Sequence, residues 1–491
     1  MNYLYCKMKK DLFLLIKSLR VSEKRYFMRF AQFHLEREKN RYIHLFEWMN
    51  AQEEYDEQAI KQQFCDAGHP TFAANLSFNK NYLYQLILRC LRSFHAQNSA
   101  RTRLHEMMID IDILTQKGLL EQAQGVLQKG RQLAREFSLN VLELDLLAME
   151  RKIVRQFATQ DAAELLEDIQ KEYQLKVGRL SKEHDILSLY EQVFILARTK
   201  NYPVQPLQNL NATIWSVVEN TPEVPNFTFD GVAYFHLLKS QFHRLSKQAQ
   251  ESNHHLRLLL KHFEAHAALL SEAEYQERYL NTLNNYYNSC HILGQVDECR
   301  TVMEKIAQIN PSNPKMEAAV FHNLHYIRMM YHFQQKEYIQ ILDAAETIKD
   351  GLKKYAANIP KNREMAFRYN LAVAYYFMGL KDKALDWLIT IIGDVRQEVR
   401  QDIQLLAHIF HLCLHFEDGN YLLIENILPN IRRYLRKRQR QNTPEQKIVD
   451  AIGQAIRKGE KTPLSALQPV IEAETGYEEF KEWIKNCLKH H

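Results

Sequence analysis

The stretch Tyr369–Leu388, YNLAVAYYFMGLKDKALDWL, decides the fold. Leu371, Ala372 and Tyr375 recur at i, i+1 and i+4, which is one face of a helix. Gly379 interrupts the pattern, and Ala384 and Leu388 resume it at i and i+4. Two short helices around a glycine turn make a hairpin. Such a hairpin carries an apolar face that it cannot bury alone, so neighbours of the same kind are expected.

Outward from Ala384, equivalent places are held by Cys299 in LGQVDECRTVMEKI, Ile341 in QQKEYIQILDAAETI and Ile424 in EDGNYLLIENIL, at steps of 42, 43 and 40 residues. Ala123 in QKGLLEQAQGVLQKG is a fainter copy. Further helical pairs are expected around 145–175, 185–219 and 230–271, which makes about eight hairpins between 106 and 435. Composition agrees. Only 14 Gly and 12 Pro occur in 491 residues, too few for the many turns of a β or α/β fold. The fold class is all-α.

The charge is uneven. Residues 1–105 carry 17 Lys and Arg against 10 Asp and Glu, and the remainder carries 47 against 49. This sets apart a basic N-terminal helical domain, 1–105, with helices expected at 9–19, 23–35, 41–50, 57–65 and 74–96. Ser22 and Asp56 are its candidate N-caps. A solenoid follows over 106–440. Residues 441–491 read as capping helices that close its end, with TPEQ at Thr443 and TPLS at Thr462 as cap-then-proline starts. The last helix, 477–488, aligns Phe480, Trp483, Ile484 and Cys487 on one face.

The segment 365–388 resembles a tetratricopeptide repeat: Leu371, Ala372, Tyr375, Gly379, Ala384 and Leu388 stand at the family's positions 7, 8, 11, 15, 20 and 24. Arg368 departs from the large residue at position 4. The unit at 280–311 matches at Leu283, Tyr286, Cys290, Gly294, Cys299 and Met303, but Tyr287 replaces a small residue, which implies looser helix packing there. The resemblance implies a right-handed superhelix of antiparallel helix pairs whose concave groove binds a protein or peptide.

Signatures of other classes are missing or defective. GVLQKGRQ at Gly125 has the Walker spacing, but Arg131 and Gln132 replace Lys and Ser/Thr, and it lies in a helical pattern. HEMMI at His105 lacks the second His of a zinc-protease helix. The reading is non-enzymatic, with no cofactor and no metal. Seven scattered cysteines without a Cys-x-x-Cys pair suit a reducing cytoplasm, and the longest apolar run is too short to span a bilayer.

Candidate contacts follow from the repeat register. In the 280 unit the groove positions are Asn285, Asn288 and His291, and in the 365 unit Tyr369, Asn370 and Tyr376. Asn285 and Asn370 resemble the position-6 asparagine with which peptide-binding members clamp a backbone or terminal carboxylate, although the clamp's usual Lys and Arg partners are not beside it. In HIFHLCLH, His408, His411 and His415 share a stripe with Gln404. A turn two residues longer than in the 365 unit puts this stripe in the groove rather than the core. Imidazoles titrate near pH 6.5, so mild acid should then strengthen binding of an acidic peptide. Two basic clusters remain. Arg432, Arg433, Arg436, Lys437, Arg438 and Arg440 end a helix, where cations complement the dipole or meet an acidic partner. Arg89 and Arg92 share a face with Gln85, and residues 67–105 contain no acid. They are candidate nucleic-acid contacts in an alternative reading, a transcriptional or signalling regulator with a DNA-binding N-terminal domain and a repeat-built peptide sensor.

Overall fold

The computed structural model describes residues 10–34, 39–95, 99–156, 162–198, 227–393, 400–437, 443–474 and 476–489. Among them every regular element is helical. No helix among the described residues is long and apolar enough to cross a membrane. The chain clusters into two compact units, Met1–Glu183 with Asn226–Asp230, and His184–Pro225 with Gly231–His491. This division differs from the boundaries at 105 and 440 read from charge and period.

The first unit begins with α1 (Asp11–Ser18), α2 (Val21–His34), α3 (Lys39–Ala51), α4 (Glu57–Asp66), α5 (Pro70–Ala74) and α6 (Leu76–His95). Ile16, Phe27, Leu45, Met49, Ile60, Phe64, Leu83 and Ile87 fill its core. Asp56 caps α4, accepting from the amides of Gln58 and Ala59. Ser22 is not a cap. It lies inside α2, and the Glu23 carboxylate takes the Arg20 amide at 2.7 Å instead. Next come α7 (Ala100–Gln116), α8 (Leu120–Glu136), α9 (Asn140–Val154) and the long α10 (Ala162–Arg198). Arg131 on α8 pairs with Glu150 on α9 at 2.7 Å and with Glu172 on α10 at 2.5 Å. Glu143, 1% exposed, takes Arg135 at 2.8 Å and Lys176 at 2.6 Å. Buried charge is tolerated here because each ion has a counter-ion. Gly125 lies within α8, where its amide serves the helix. The hairpin expected at 185–219 falls partly on α10 and partly outside the described residues.

The second unit continues from α11 (Phe229–Leu245) and α12 (Ala249–Ala265) through α13 (Ala273–Ile292), α14 (Val296–Ala307), α15 (Pro314–Gln335), α16 (Tyr338–Asp343) and α17 (Ala345–Lys354). It ends with α18 (Lys361–Phe377), α19 (Lys381–Ile392), α20 (Gln401–Glu417), α21 (Tyr421–Lys437), α22 (Pro444–Lys458), α23 (Thr462–Glu472) and α24 (Glu478–Lys489). Each hairpin packs on the next: α13 meets α14 and α15, α15 meets α18, and α18 meets α19 and α20. That packing of adjacent pairs is compatible with a helical repeat.

One backbone device closes the hairpin turns. Gly118, Gly294, Gly379 and Gly419 adopt φ of 74°, 68°, 73° and 73°. The amide just after each donates five residues back, as Leu380 does to the Tyr375 carbonyl at 2.9 Å and Asn420 to the His415 carbonyl at 2.9 Å. This is the helix-ending left-handed motif that glycine adopts without strain. Lys247 and Lys336 make the same turn at φ 59° and 58°, with Gln248 and Glu337 donating at 2.8 Å. Five residues after these turns stand Ala123, Ser252, Cys299, Ile341, Ala384 and Ile424, all buried. The periodic positions are therefore packing positions. The α11–α12 copy is hidden in the sequence because Lys replaces Gly and Ser replaces Ala.

Tyr287 does not behave as its size implies. Its ring is 1% exposed and its hydroxyl donates to the Ile327 carbonyl at 2.9 Å, which joins α13 to α15. At the C-terminus, Thr443 caps α22 through the Gln446 amide, as expected, whereas Thr462 is already helical and Lys461 holds the cap position.

Candidate binding surface

On α13, Asn281, Asn285 and Asn288 are exposed and Asn284 is half-buried. At 100° per residue they form one stripe, which Glu277 and the 73%-exposed Ile292 prolong. The opposite side carries the buried Tyr279, Leu280, Leu283, Tyr286, Tyr287 and Cys290. Packing on α12, α14 and α15 thus fixes the rotation of α13 and leaves its carboxamides in water. His291, half-buried, stacks on Tyr287 with ring centroids 6.0 Å apart.

The same register two and three hairpins later meets a different environment. Tyr369 and Tyr376 are 7% and 4% exposed, and Asn370 is half-buried. The Tyr369 hydroxyl donates to the Glu479 carboxylate of α24. The Tyr376 hydroxyl donates to Glu417 at 3.0 Å and accepts from the Asn486 amide at 3.1 Å. Trp483, fully buried, donates its indole N–H to the Cys413 carbonyl at 2.8 Å. Phe480 packs edge-on against Phe410. The chain's own last helix therefore lies along α18 and α20. The sequence reading puts Tyr369 and Tyr376 on an open groove; the structure makes them interior contacts of α24. It also places α24 on the face of the hairpins rather than beyond their end.

The histidine stripe needs a second correction. The turn at Gly419 has the same geometry as that at Gly379, so the longer turn does not exist. His408, His411 and His415 accordingly occupy the places of Arg368, Leu371 and Tyr375, on the side facing α21. His408 lies 5.8 Å from the Tyr434 ring. The Nε2 atoms of His411 and His415 stand 3.2 Å apart, and His415 Nδ1 meets the Asn420 amide at 3.1 Å. Gln404 is 5% exposed. Burial first, then the neighbouring His415 and His408, holds the His411 imidazole down at about 4, and burial lowers His415 as well. His411 thus stays neutral in mild acid, and the stripe faces α21 rather than an open groove. Among the described residues no group of three or more His, Cys, Asp or Glu side chains is placed to hold a metal.

Of the basic stretch, Arg432 pairs with Asp450 at 3.1 Å, Arg433 donates to Asn430 at 2.7 Å, and Arg436 is exposed. Lys437 ends α21, its side chain and residues Arg438 and Arg440 lying outside the described residues. Arg89 and Arg92 are exposed on α6. What sequence reasoning missed is the role of α24. Its apolar face was visible, but nothing in the pattern names the surface that receives it. No family model, curated protein or solved structure matches the chain.

Proposed function

We propose that this chain is an intracellular helical-repeat scaffold of the tetratricopeptide-like kind, a right-handed superhelix that binds a protein or peptide segment along the exposed face of α13. The observation that carries the reading is the solvated row Asn281, Asn284, Asn285 and Asn288. Each carboxamide offers a donor and an acceptor, the set needed to pair with the backbone of an extended peptide. The nearest-neighbour stacking of hairpins supports a scaffold. The described cysteines are free thiols, which suits a reducing compartment. The function is binding, without catalysis or a cofactor.

Affinity capture from the native lysate, read by quantitative mass spectrometry, compares the parent with Asn285→Ala/Asn288→Ala. The expected outcome is loss of a defined set of captured proteins at unchanged helicity. Retention of the same set by the double variant would overturn the reading.

A further inference from the structure

Helix α6 carries a second exposed face. Phe78 (71% exposed) and Tyr82 (40%) lie on it with the exposed Asn81, Gln85, Arg89 and Arg92. These six fall within about 100° of arc and run about 21 Å along the helix. The other side is locked into the first unit by Leu76, Leu83, Leu86, Ile87 and Cys90. Two buried hydrogen bonds fix its rotation: Asn79 donates to the Phe72 carbonyl at 3.0 Å and accepts from the Tyr42 hydroxyl at 3.1 Å. The exposed face is therefore a rigid feature of the fold.

Its chemistry is one-sided. Residues 67–105 hold five Lys and Arg and no Asp or Glu. Arg89 and Arg92 make no hydrogen bond or ion pair with the described residues. At the C-terminal end of α6 the Glu23 carboxylate is already paired with His95 at 2.8 Å, and further carboxylates stand at the N-terminal end, around a cavity of ≈ 730 Å³ that Phe78 and Asn81 help to line. There Glu57 is already paired with Lys80 at 2.8 Å and Lys61 at 3.2 Å, which leaves Asp11 at the rim. Carboxamides and guanidinium groups are the side chains that pair two-pronged with purine edges. An unpaired Arg pair one turn apart suits phosphate. A face of this width fits the roughly 12 Å of a major groove.

We propose that α6 docks in the major groove of double-stranded DNA. Asn81 and Gln85 face base edges, Arg89 and Arg92 meet phosphates, and Phe78 and Tyr82 lie against thymine methyl groups. The site is on the first unit and is independent of the α13 reading.

The test is fluorescence anisotropy of the full-length chain with a labelled random-sequence duplex at low salt. The parent is expected to bind the duplex more tightly than either of its single strands. Arg89→Ala/Arg92→Ala should weaken binding at least about tenfold and lower the slope of log affinity against log salt by about 2. Arg89→Lys/Arg92→Lys should keep most of the affinity, which separates lost charge from misfolding. Selection from a randomised duplex pool should show a base preference that Asn81→Ala/Gln85→Ala flattens. No binding by the parent at low salt, tighter binding to a single strand, displacement by poly-glutamate, or full affinity in Arg89→Glu/Arg92→Glu would each overturn the proposal. The poly-glutamate outcome would reassign the face to an acidic protein.

Discussion

Helices α13 and α18 hold the same place in repeats two hairpins apart, yet one shows water a row of asparagines and the other shows it almost nothing. The buried set of α18 goes all the way round: Met365, Ala366, Phe367, Tyr369, Leu371, Ala372, Val373, Ala374, Tyr375 and Tyr376. A helix apolar on every side must be covered on every side. On α13 the second face is polar and no helix among the described residues covers it. The difference lies in residues at equivalent positions. Asn284, Asn285 and Asn288 in one helix answer to Tyr369, Asn370 and Val373 in the other, and α24 occupies the apolar version. A repeat array can thus keep one stretch of its face for solvent while closing another with its own helix α24.

The strongest way to break this comparison is Trp483→Ala. The side chain is fully buried and hydrogen-bonded to α20, so truncation should cost about 3–5 kcal/mol. Denaturant unfolding reads the loss, and hydrogen exchange should show α24 opening before α13. A loss below ~0.5 kcal/mol would mean that α24 is an ornament on the covered face.

Glu479 sharpens the comparison through pH. Burial pushes its carboxyl above the ordinary range, and the Tyr369 hydroxyl pulls the other way without prevailing. A raised folded value means that the folded chain keeps a proton the unfolded chain has released. Its stabilising contribution is complete below about pH 4.3, the ordinary Glu value, and is lost as pH rises through the folded value. Glu479→Gln should therefore raise the denaturation midpoint at neutral pH and flatten its decline above that range. An unchanged pH profile would show that the carboxylate is comfortably solvated.

His411, on the opposite side of α20, works in the reverse sense. Its value falls from the usual 6.5 to about 4, so the unfolded chain takes up protons first. Its contribution is complete above about pH 6.5 and is lost as pH falls toward 4. His411→Gln should weaken acid destabilisation in that window, measured as the shift in midpoint between neutral and mildly acid buffer. No difference from the parent would place the imidazole in water after all. The smallest effect belongs to the open face, where Asn285→Ala/Asn288→Ala should change stability by less than ~0.5 kcal/mol. A larger loss would show that the asparagines are structural and that α13 resembles α18.

Much of the architecture was legible because it is written in local patterns. The spacing of Cys299, Ile341, Ala384 and Ile424 reports a contact that each hairpin makes within itself, and all four are buried. Asp56 and Thr443 read as caps because capping needs only the next three amides. The repeat register puts Asn285 and Asn288 on a solvent-facing side, and the two residues are exposed.

Reading failed where the local pattern carries no direction. On α20, Leu405, Ile409, Phe410, Leu412, Cys413, Leu414 and Phe416 are all buried. With apolar residues on most sides, the helix offers only its histidines as a polar stripe, and amphipathicity sent them to water. The turn bond from Asn420 to His415 sends them to α21.

The sequence by itself determined the helices, their hairpin period, the glycine turns and the apolar face of α24, because all of these depend on residues close along the chain. The tertiary structure decided what α24 covers, and so which repeats remain open. Tyr369 and Glu479 stand 110 residues apart, and an apolar stripe says that it must be buried without saying where. That choice is made by shape and by the polar atoms at the rim, which exist only once α18 and α20 are packed side by side.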